Sequence, residues 1–400
     1  MLAISPGARY ARAMAGAADS DDPDAGWALP AWIYHDAEWA AAERAAILRP
    51  AWQIVCHQND IPQPGDWHSL EWLGESIIAV RGDDGRVRSF TNVCRHRGSR
   101  LVDGACGHAR RLICPYHAWG YGLDGQLLSL PARETYPGLD PAAQGLVPVE
   151  QDIWRGFIFV RLASGLPSVA AMMAPWDDQV APYNFEAMQP RGPVSIRPRG
   201  VNWKNLTDNY SDNLHIRPAH PGLKRLFGQD YRTIAGPWAD WLGGPIGQGA
   251  SWSETRYARL LPDVPHLSAE QRRTWWYIKL WPNIAFDIYP DQIDFMQFIP
   301  TGPTTTLLRE ISYALPDSRR EMRAARYLNA RINREVNRED TILVERVQAG
   351  MASASFVAGP LSTTEVCLRS FGARVRSLIP ESRLPRPPAP GWSQRYTGHP

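Results

Sequence analysis

The 400 residues carry 43 Lys and Arg against 41 Asp and Glu, so the chain lacks an electrostatic footprint for nucleic acid or an anionic membrane surface, and neither partner is expected. A hydrophobic share of 44% with 21% charged residues is the balance of a globular chain long enough for two domains, and it excludes wholesale disorder. Arg9 and Arg12 precede no apolar run of signal-peptide length, no later stretch approaches a membrane span, and five cysteines is an odd number; a cytoplasmic protein without a disulfide framework is expected.

In chain order, residues 1–30 have no apolar periodicity and read as a leader. The Ala-rich run from Trp39 to Ile47 predicts a short helix, grouped with a first domain over 31–165. From Trp52 to about Leu162, short runs such as SIIAV, RVRSF and GFIFV are cut by turn signals at Pro62, Pro64-Gly65, Asp83-Asp84-Gly85 and Asp124-Gly125. That texture predicts an all-β domain. A Pro- and Gly-rich connection over 163–199 leads into a second domain over 166–385. There a helical segment runs from Val201 to Pro218, strands fill Thr274 to Tyr313, and 318–349 forms a long helix closed at Gly350. Leu328, Ile332, Val336, Leu343 and Val347 give that helix its apolar stripe. Residues 386–400 read as a Pro-rich tail. The fold class is therefore α+β: an N-terminal all-β domain, then an antiparallel sheet flanked by helices.

One local pattern carries metal chemistry. Cys94-Arg95-His96 is followed, after 17 residues, by Cys114-Pro115-Tyr116-His117. A Rieske [2Fe-2S] centre holds one iron with two cysteines and the other with two histidines, and each pair here offers one ligand of each kind. Structural zinc takes the same four residue types, but zinc motifs usually begin with two closely spaced cysteines and keep the histidines together. Splitting each pair as Cys plus His argues against zinc. Cys56, Cys106 and Cys367, and His35, His57, His68, His108, His266 and His399, belong to no such spacing.

A second constellation lies in NWKNLTDNYSDNLHIRPAHPGL over 202–223. Asp212 and His215 are three apart and are expected on one helical face, as are Asn209 and Asp212, while His220 lies past the Pro218 break. Two such histidines can begin a two-His, one-carboxylate triad for non-heme Fe(II), which leaves positions open for dioxygen. The carboxylate is open among Asp340 within the stripe of the long helix, Glu339 at its edge, and Asp208 or Asp212 beside the histidines. The alternative for Asp340 is a surface acid paired with Arg334, Arg338 or Arg346.

The segment CRHRGSRLVDGACGHARRLICPYHAWGYGLDGQL resembles the Rieske domain of the ring-hydroxylating oxygenase α-subunit family. The pattern Asn202-Trp203-Lys204, Asp208-Asn209, Asp212, His215, His220 and, much later, EDTILVERVQ is similar to that family's catalytic domain. The likeness runs from about Trp32 to Pro380. It implies a [2Fe-2S] cluster on Cys94, His96, Cys114 and His117, and a mononuclear Fe(II) on His215, His220 and Asp340. It also implies Asp212 as an electron bridge toward His117 of the partner subunit in a homotrimer, with Asn209 beside it. The segment VERVQAGMASASFVAGPLSTTE resembles the choline, carnitine and stachydrine oxygenase and demethylase branch. Dioxygen as co-substrate and monooxygenation or oxidative demethylation of a small molecule follow from that likeness. The competing readings are cis-dihydroxylation of an arene, with an accessory β-subunit, and a non-catalytic Rieske electron carrier.

No GxGxxG unit or plant-type ferredoxin run is present, so NAD(P)H electrons are expected through a separate ferredoxin or flavin reductase. Gly243 to Gly249 reads as a flexible pocket loop. Trp238, Trp241, Trp252, Tyr257, Trp275, Trp276, Phe286, Tyr289 and Phe295 crowd the expected pocket region, most of them as core.

Overall fold

The computed structural model describes residues 22–228, 230–247 and 252–397. The chain forms two compact units, one of residues 52–164 and one of residues 1–51 with 165–400.

The first unit is built from strands β1 (Gln53–His57), β2 (Asp66–Trp72), β3 (Glu75–Arg81), β4 (Val87–Thr91), β5 (Cys106–His108), β6 (Leu112–Ile113), β7 (Gly120–Tyr121), β8 (Leu127–Ser129), β9 (Glu150–Trp154) and β10 (Phe157–Arg161). They pair as three small antiparallel sheets in the orders β1-β10-β9, β4-β3-β2-β5 and β6-β7-β8. Strands this short bury little each, so the two sheets β4-β3-β2-β5 and β6-β7-β8 share an apolar cluster. Trp67, Ile78, Val80, Phe90, Leu112, Trp119 and Tyr121 form it together with Cys94 and Cys114.

The second unit centres on an antiparallel sheet of β11 (Gln189–Pro190), β12 (Ser195–Arg199), β13 (Arg232–Ile234), β14 (Ala239–Pro245), β15 (Thr274–Leu280), β16 (Ile284–Ile288), β17 (Ile293–Gly302) and β18 (Thr305–Ala314). The order is β11-β18-β17-β16-β15-β14-β13, with β12 also pairing β18. Side chains alternate along β17: Ile293, Phe295, Gln297 and Ile299 are buried, whereas Asp294 and Met296 retain partial exposure.

Several expectations are corrected here. The N-terminal helix α1 (Ala37–Glu43) and residues 31–51 belong to the second unit, not to the all-β domain. Glu43 explains why: its carboxylate accepts hydrogen bonds from Trp39 Nε1 at 2.9 Å, Trp203 Nε1 at 2.7 Å and Lys204 Nζ at 2.7 Å, all in a buried pocket. The Pro-rich tail packs where it is described: Trp392 meets Trp32 edge-on at 6.0 Å, and Glu38 accepts the Gly391 N–H at 2.9 Å. Residues 1–21 of the expected leader lie outside the described residues. Gly243 and Gly244 sit within β14, not in a loop; a Cβ on Gly243 (φ +124°) would meet the Trp275 carbonyl oxygen at 2.1 Å. Gln248 and Gly249 lie outside the described residues. Within the expected strand region, the apolar run between Pro282 and Pro290 forms the fully buried strand β16.

The helix expected to reach Pro218 stops seven residues earlier, as α2 (Trp203–Ser211). Asp212 turns out of it into extended backbone (φ −79°, ψ 132°) because its carboxylate accepts the Leu214 N–H at 2.7 Å instead of continuing the helix. Pro218 sits inside a separate turn, Ile216–Ala219, where its missing N–H costs nothing. The long helix is α3 (Arg320–Met351). Its inward face near the C-terminal end is Val344 and Gln348, while Val347 is 46% exposed. Gln348 faces inward because its Oε1 accepts from Asn202 N–H at 2.7 Å and Asn205 Nδ2 at 2.9 Å.

Candidate metal centres and cavity

Cys94 and His96 occupy one loop of the first unit, Cys114 and His117 another, and the two loops repeat the same backbone device. The Gly98 N–H donates to Cys94 O at 3.1 Å, and the Ala118 N–H to Cys114 O at 3.0 Å. Gly98 (φ +74°) and Ala118 (φ +56°) both take the left-handed conformation needed for that reversal. Each loop thereby carries its Cys and His to one tip. Cys94 and Cys114 are buried and hydrogen-bonded to each other. Burial pushes the Cys114 thiol up, but the backbone N–H groups of Tyr116 and His117 outweigh it and lower its pKa below the usual thiol value. His96 Nδ1 and His117 Nδ1 face each other at 3.1 Å, and the His96 ring stacks on Trp119 at 4.9 Å. Two ring nitrogens at that distance share at most one proton between them, whereas one iron of a [2Fe-2S] group would use both lone pairs. The four side chains fit a [2Fe-2S] group.

In the second unit, Asp212, His215, His220 and Asp340 converge, although they come from three backbone segments. One ligand atom each of His215, His220 and Asp340 lies within 4.8 Å of the others. His220 Nε2 is 2.9 Å from Asp340 Oδ1 and His215 Nε2 is 3.6 Å from it. His220 Nε2 is buried yet makes no well-aligned hydrogen bond even at this distance. That orphaned nitrogen is what a metal ligand looks like without its ion. The far nitrogens are each engaged: His215 Nδ1 meets Asp212 Oδ2 at 3.0 Å, and His220 Nδ1 meets Glu339 Oε2 at 2.7 Å. Asn209 Nδ2 donates to Asp340 Oδ1 at 2.8 Å. Carboxylates on the Nδ1 side fix the tautomer that leaves Nε2 free for a metal. The donor set fits a non-heme iron.

Asp340 is not paired with Arg334, Arg338 or Arg346; its partners are His215, His220 and Asn209. Glu339, weighed as a substitute ligand, instead holds the back of His220, and Asp208 is turned away onto the Tyr34 hydroxyl at 2.6 Å. Burial opposes ionisation at Asp340, but the two histidines and Asn209 hold its carboxyl well below the usual carboxylate range. Burial likewise opposes a charge on His215, and Asp212 and Asp340 reverse this, raising it to about 9.

A cavity of about 330 Å³ opens beside the triad, between α2, α3 and the face of the sheet. None of the nine aromatics crowded in the sequence lines it; most are core residues, and Trp252 is 63% exposed. The lining rings are Tyr210, Tyr231, Tyr277 and Phe298. Asp287 and Asp294 also line it, with Arg199 and Arg334 contributed by β12 and α3. The sequence did hold a signal: acids at alternating positions of apolar strands need a partner or a purpose.

Residues 51–146 match the Rieske [2Fe-2S] domain family, and residues 185–381 match the ring-hydroxylating α-subunit catalytic domain family. A carnitine monooxygenase oxygenase subunit of Escherichia coli (strain K12) is 30% identical over 344 residues, covering 84% of this chain and 87% of the relative. A glycine betaine monooxygenase oxygenase subunit of Chromohalobacter salexigens is 37% identical over 195 residues, 49% of this chain and 43% of that protein. A crystal structure of a quaternary ammonium Rieske monooxygenase bound to an inhibitor shares the fold with a TM-score of 0.77 at 22% identity, over 91% of this chain and 98% of the other. Among the described residues no helix is long and apolar enough to cross a membrane. The chain thus belongs to the ring-hydroxylating α-subunit family of Rieske non-heme iron oxygenases, and is an oxygenase subunit that works with a [2Fe-2S] cluster and a mononuclear iron.

Proposed function

We propose that this oxygenase hydroxylates a carbon bonded to the nitrogen of a small methylated ammonium compound, and that the resulting carbinolamine falls apart to an amine and an aldehyde. The overall balance is one dioxygen, two electrons and two protons per hydroxylation, with one oxygen atom leaving as water. When bound, the iron of the triad supplies dioxygen activation and the cluster supplies electrons. The chain's own residues do the rest. His215, His220 and Asp340 hold the metal, Cys94, His96, Cys114 and His117 hold the cluster, Asp212 orients His215 and bridges electrons from the cluster of the partner subunit in a homotrimer, and Asn209 steadies Asp340.

The observation that carries the substrate reading is the cavity lining. Asp287 and Asp294 face it without an ion-pair partner among the described residues, beside the rings of Tyr210, Tyr277 and Phe298. A ring face and an uncompensated carboxylate both attract a cation that cannot itself donate hydrogen bonds. The relatives named for carnitine and glycine betaine support the same class. Arg199 and Arg334 offer a place for a carboxylate at the other end of such a molecule.

The test is product analysis with a generic ferredoxin or flavin reductase, NAD(P)H and isotopic dioxygen, across methylated ammonium compounds, methoxybenzoates and bare arenes. Amine and aldehyde from the ammonium compounds, in step with dioxygen uptake, are expected. Formation of cis-diols from arenes, with the ammonium compounds inert, would replace this reading with ring dihydroxylation.

A further inference from the structure

Asp287 and Asp294 are directly opposite each other on neighbouring strands β16 and β17, and both side chains reach the cavity. Cross-strand neighbours hold their Cβ atoms about 5 Å apart, so two like charges there repel across a short, poorly hydrated gap. The partners supplied by the fold are all neutral: Tyr210 Oη donates to Asp287 Oδ1 at 2.7 Å, Tyr289 Oη to Asp287 Oδ2 at 2.9 Å, and Gln292 Nε2 to Asp294 Oδ1 at 3.1 Å. Ser312, from β18, hydrogen-bonds Asp294. The charged groups nearby do not relieve the repulsion. Glu310 of β18 adds negative charge and spends it on Arg197 of β12. Asp291 adds more, and it is Asp291, not the pair, that feels Arg326 and Arg191. Tyr277 of β15 and Tyr231 are neutral, and Arg334 of α3 lines the cavity without forming an ion pair to either acid.

We propose that Asp287 and Asp294 share one proton in the substrate-free protein and release it when an ammonium substrate enters, so that the pair selects for a permanent cation and makes its binding proton-linked. The inference rests on the cationic-substrate reading above and extends it to named residues. A cation between the ring faces and the carboxylates removes the reason for holding the proton; an uncharged molecule of the same shape does not. Burial pushes Asp287 up to about 7, with Glu310 adding to it and the two tyrosine hydroxyls working against it. Burial, followed by the charge of Asp287, raises Asp294 in the same sense. Two carboxylates this close titrate as a unit, and both shifts favour keeping a proton on the pair toward neutral pH. Below that range a cation has to displace the proton, so affinity falls as the pH falls; above it, affinity levels off.

The experiment is anaerobic calorimetry on the iron- and cluster-loaded protein, in buffers of different ionisation enthalpy between pH 6 and 8. The ligands are choline and glycine betaine, each compared with its uncharged-centre carbon isostere, 3,3-dimethylbutan-1-ol and 3,3-dimethylbutanoate. Expected are release of up to one proton per cation bound and a dissociation constant that rises by up to about tenfold per pH unit below the transition, with neither effect for the isosteres. Asp294→Asn, which removes one acid of the pair and leaves Asp287 alone under burial, should bind the cation more weakly and release fewer protons than the parent. Cation binding with no proton release and no pH dependence would overturn the proton linkage while leaving the cationic-substrate reading standing. Equal binding of each ligand and its isostere would overturn that reading and the inference with it. The wild-type measurements decide the matter even if the variant does not fold.

Discussion

The two metal centres are built in opposite ways. The cluster site is local: two loops of the same shape, each offering a Cys and a His, sit on one small β unit whose apolar core includes both thiols. The proposed iron site is assembled from distant backbone, with His215 and His220 following α2 and Asp340 on α3; Asp212 and Glu339 engage the far nitrogens of the two histidines, and Asn209 bonds Asp340 Oδ1. Backbone shape suffices where the ligands come from adjacent turns. Where they come from elements more than a hundred residues apart, side-chain contacts have to replace it.

The strongest way to break the contrast is through the frame of the iron site. Replacing Glu43 with Ala leaves Lys204 charged and buried, with Trp39 and Trp203 also losing their acceptor, and should cost about 3 to 5 kcal/mol of the second unit's stability. Thermal unfolding followed by tryptophan fluorescence should shift strongly, while the visible spectrum of the cluster keeps its shape at low temperature. Next in size, Asp212→Ala should lower turnover by about a hundredfold or more with iron and cluster both loaded from excess metal. Retained turnover would remove its proposed bridging role.

Glu339→Ala isolates the ligand-orienting effect alone. Iron affinity should drop by about tenfold to a hundredfold, read by competition with a chelator, and the cluster should be untouched. The smallest effect is expected in the first unit. Ala118→Gly relaxes a left-handed backbone position, so stability should stay within about 1 kcal/mol of the parent and cluster loading should be unchanged. A large loss of cluster would show that the loops are not set by backbone conformation.

The same contrast explains what was legible in the sequence. Cys94, His96, Cys114 and His117, the proposed cluster ligands, are legible because their paired spacing within one short segment suits the ligand set of a Rieske [2Fe-2S] centre. Asp340 was detectable as an acid within an apolar stripe, yet its rivals were separated only by side-chain orientation, which sequence spacing does not encode. Periodicity located the helix α3 but misjudged its inward face at Val347, because Gln348 is drawn in by hydrogen bonds from Asn202 and Asn205. The helix end at Ser211 was missed because the Pro218 signal was louder than the turn made by the Asp212 side chain. The cavity was least legible: its rings and acids come from α2, the segment before β13, and β15 to β18, and the register of the sheet together with the packing of α2 brings them to one face.

One chain holding both an electron-carrying cluster and a separate iron has a distinct metal stoichiometry. Iron and acid-labile sulfide counted in the loaded protein and in the His215→Ala/His220→Ala double variant test it most directly. About three irons and two sulfides are expected in the parent, with one iron lost and the cluster spectrum preserved in the variant. An unchanged iron count, or loss of iron and sulfide together, would contradict it.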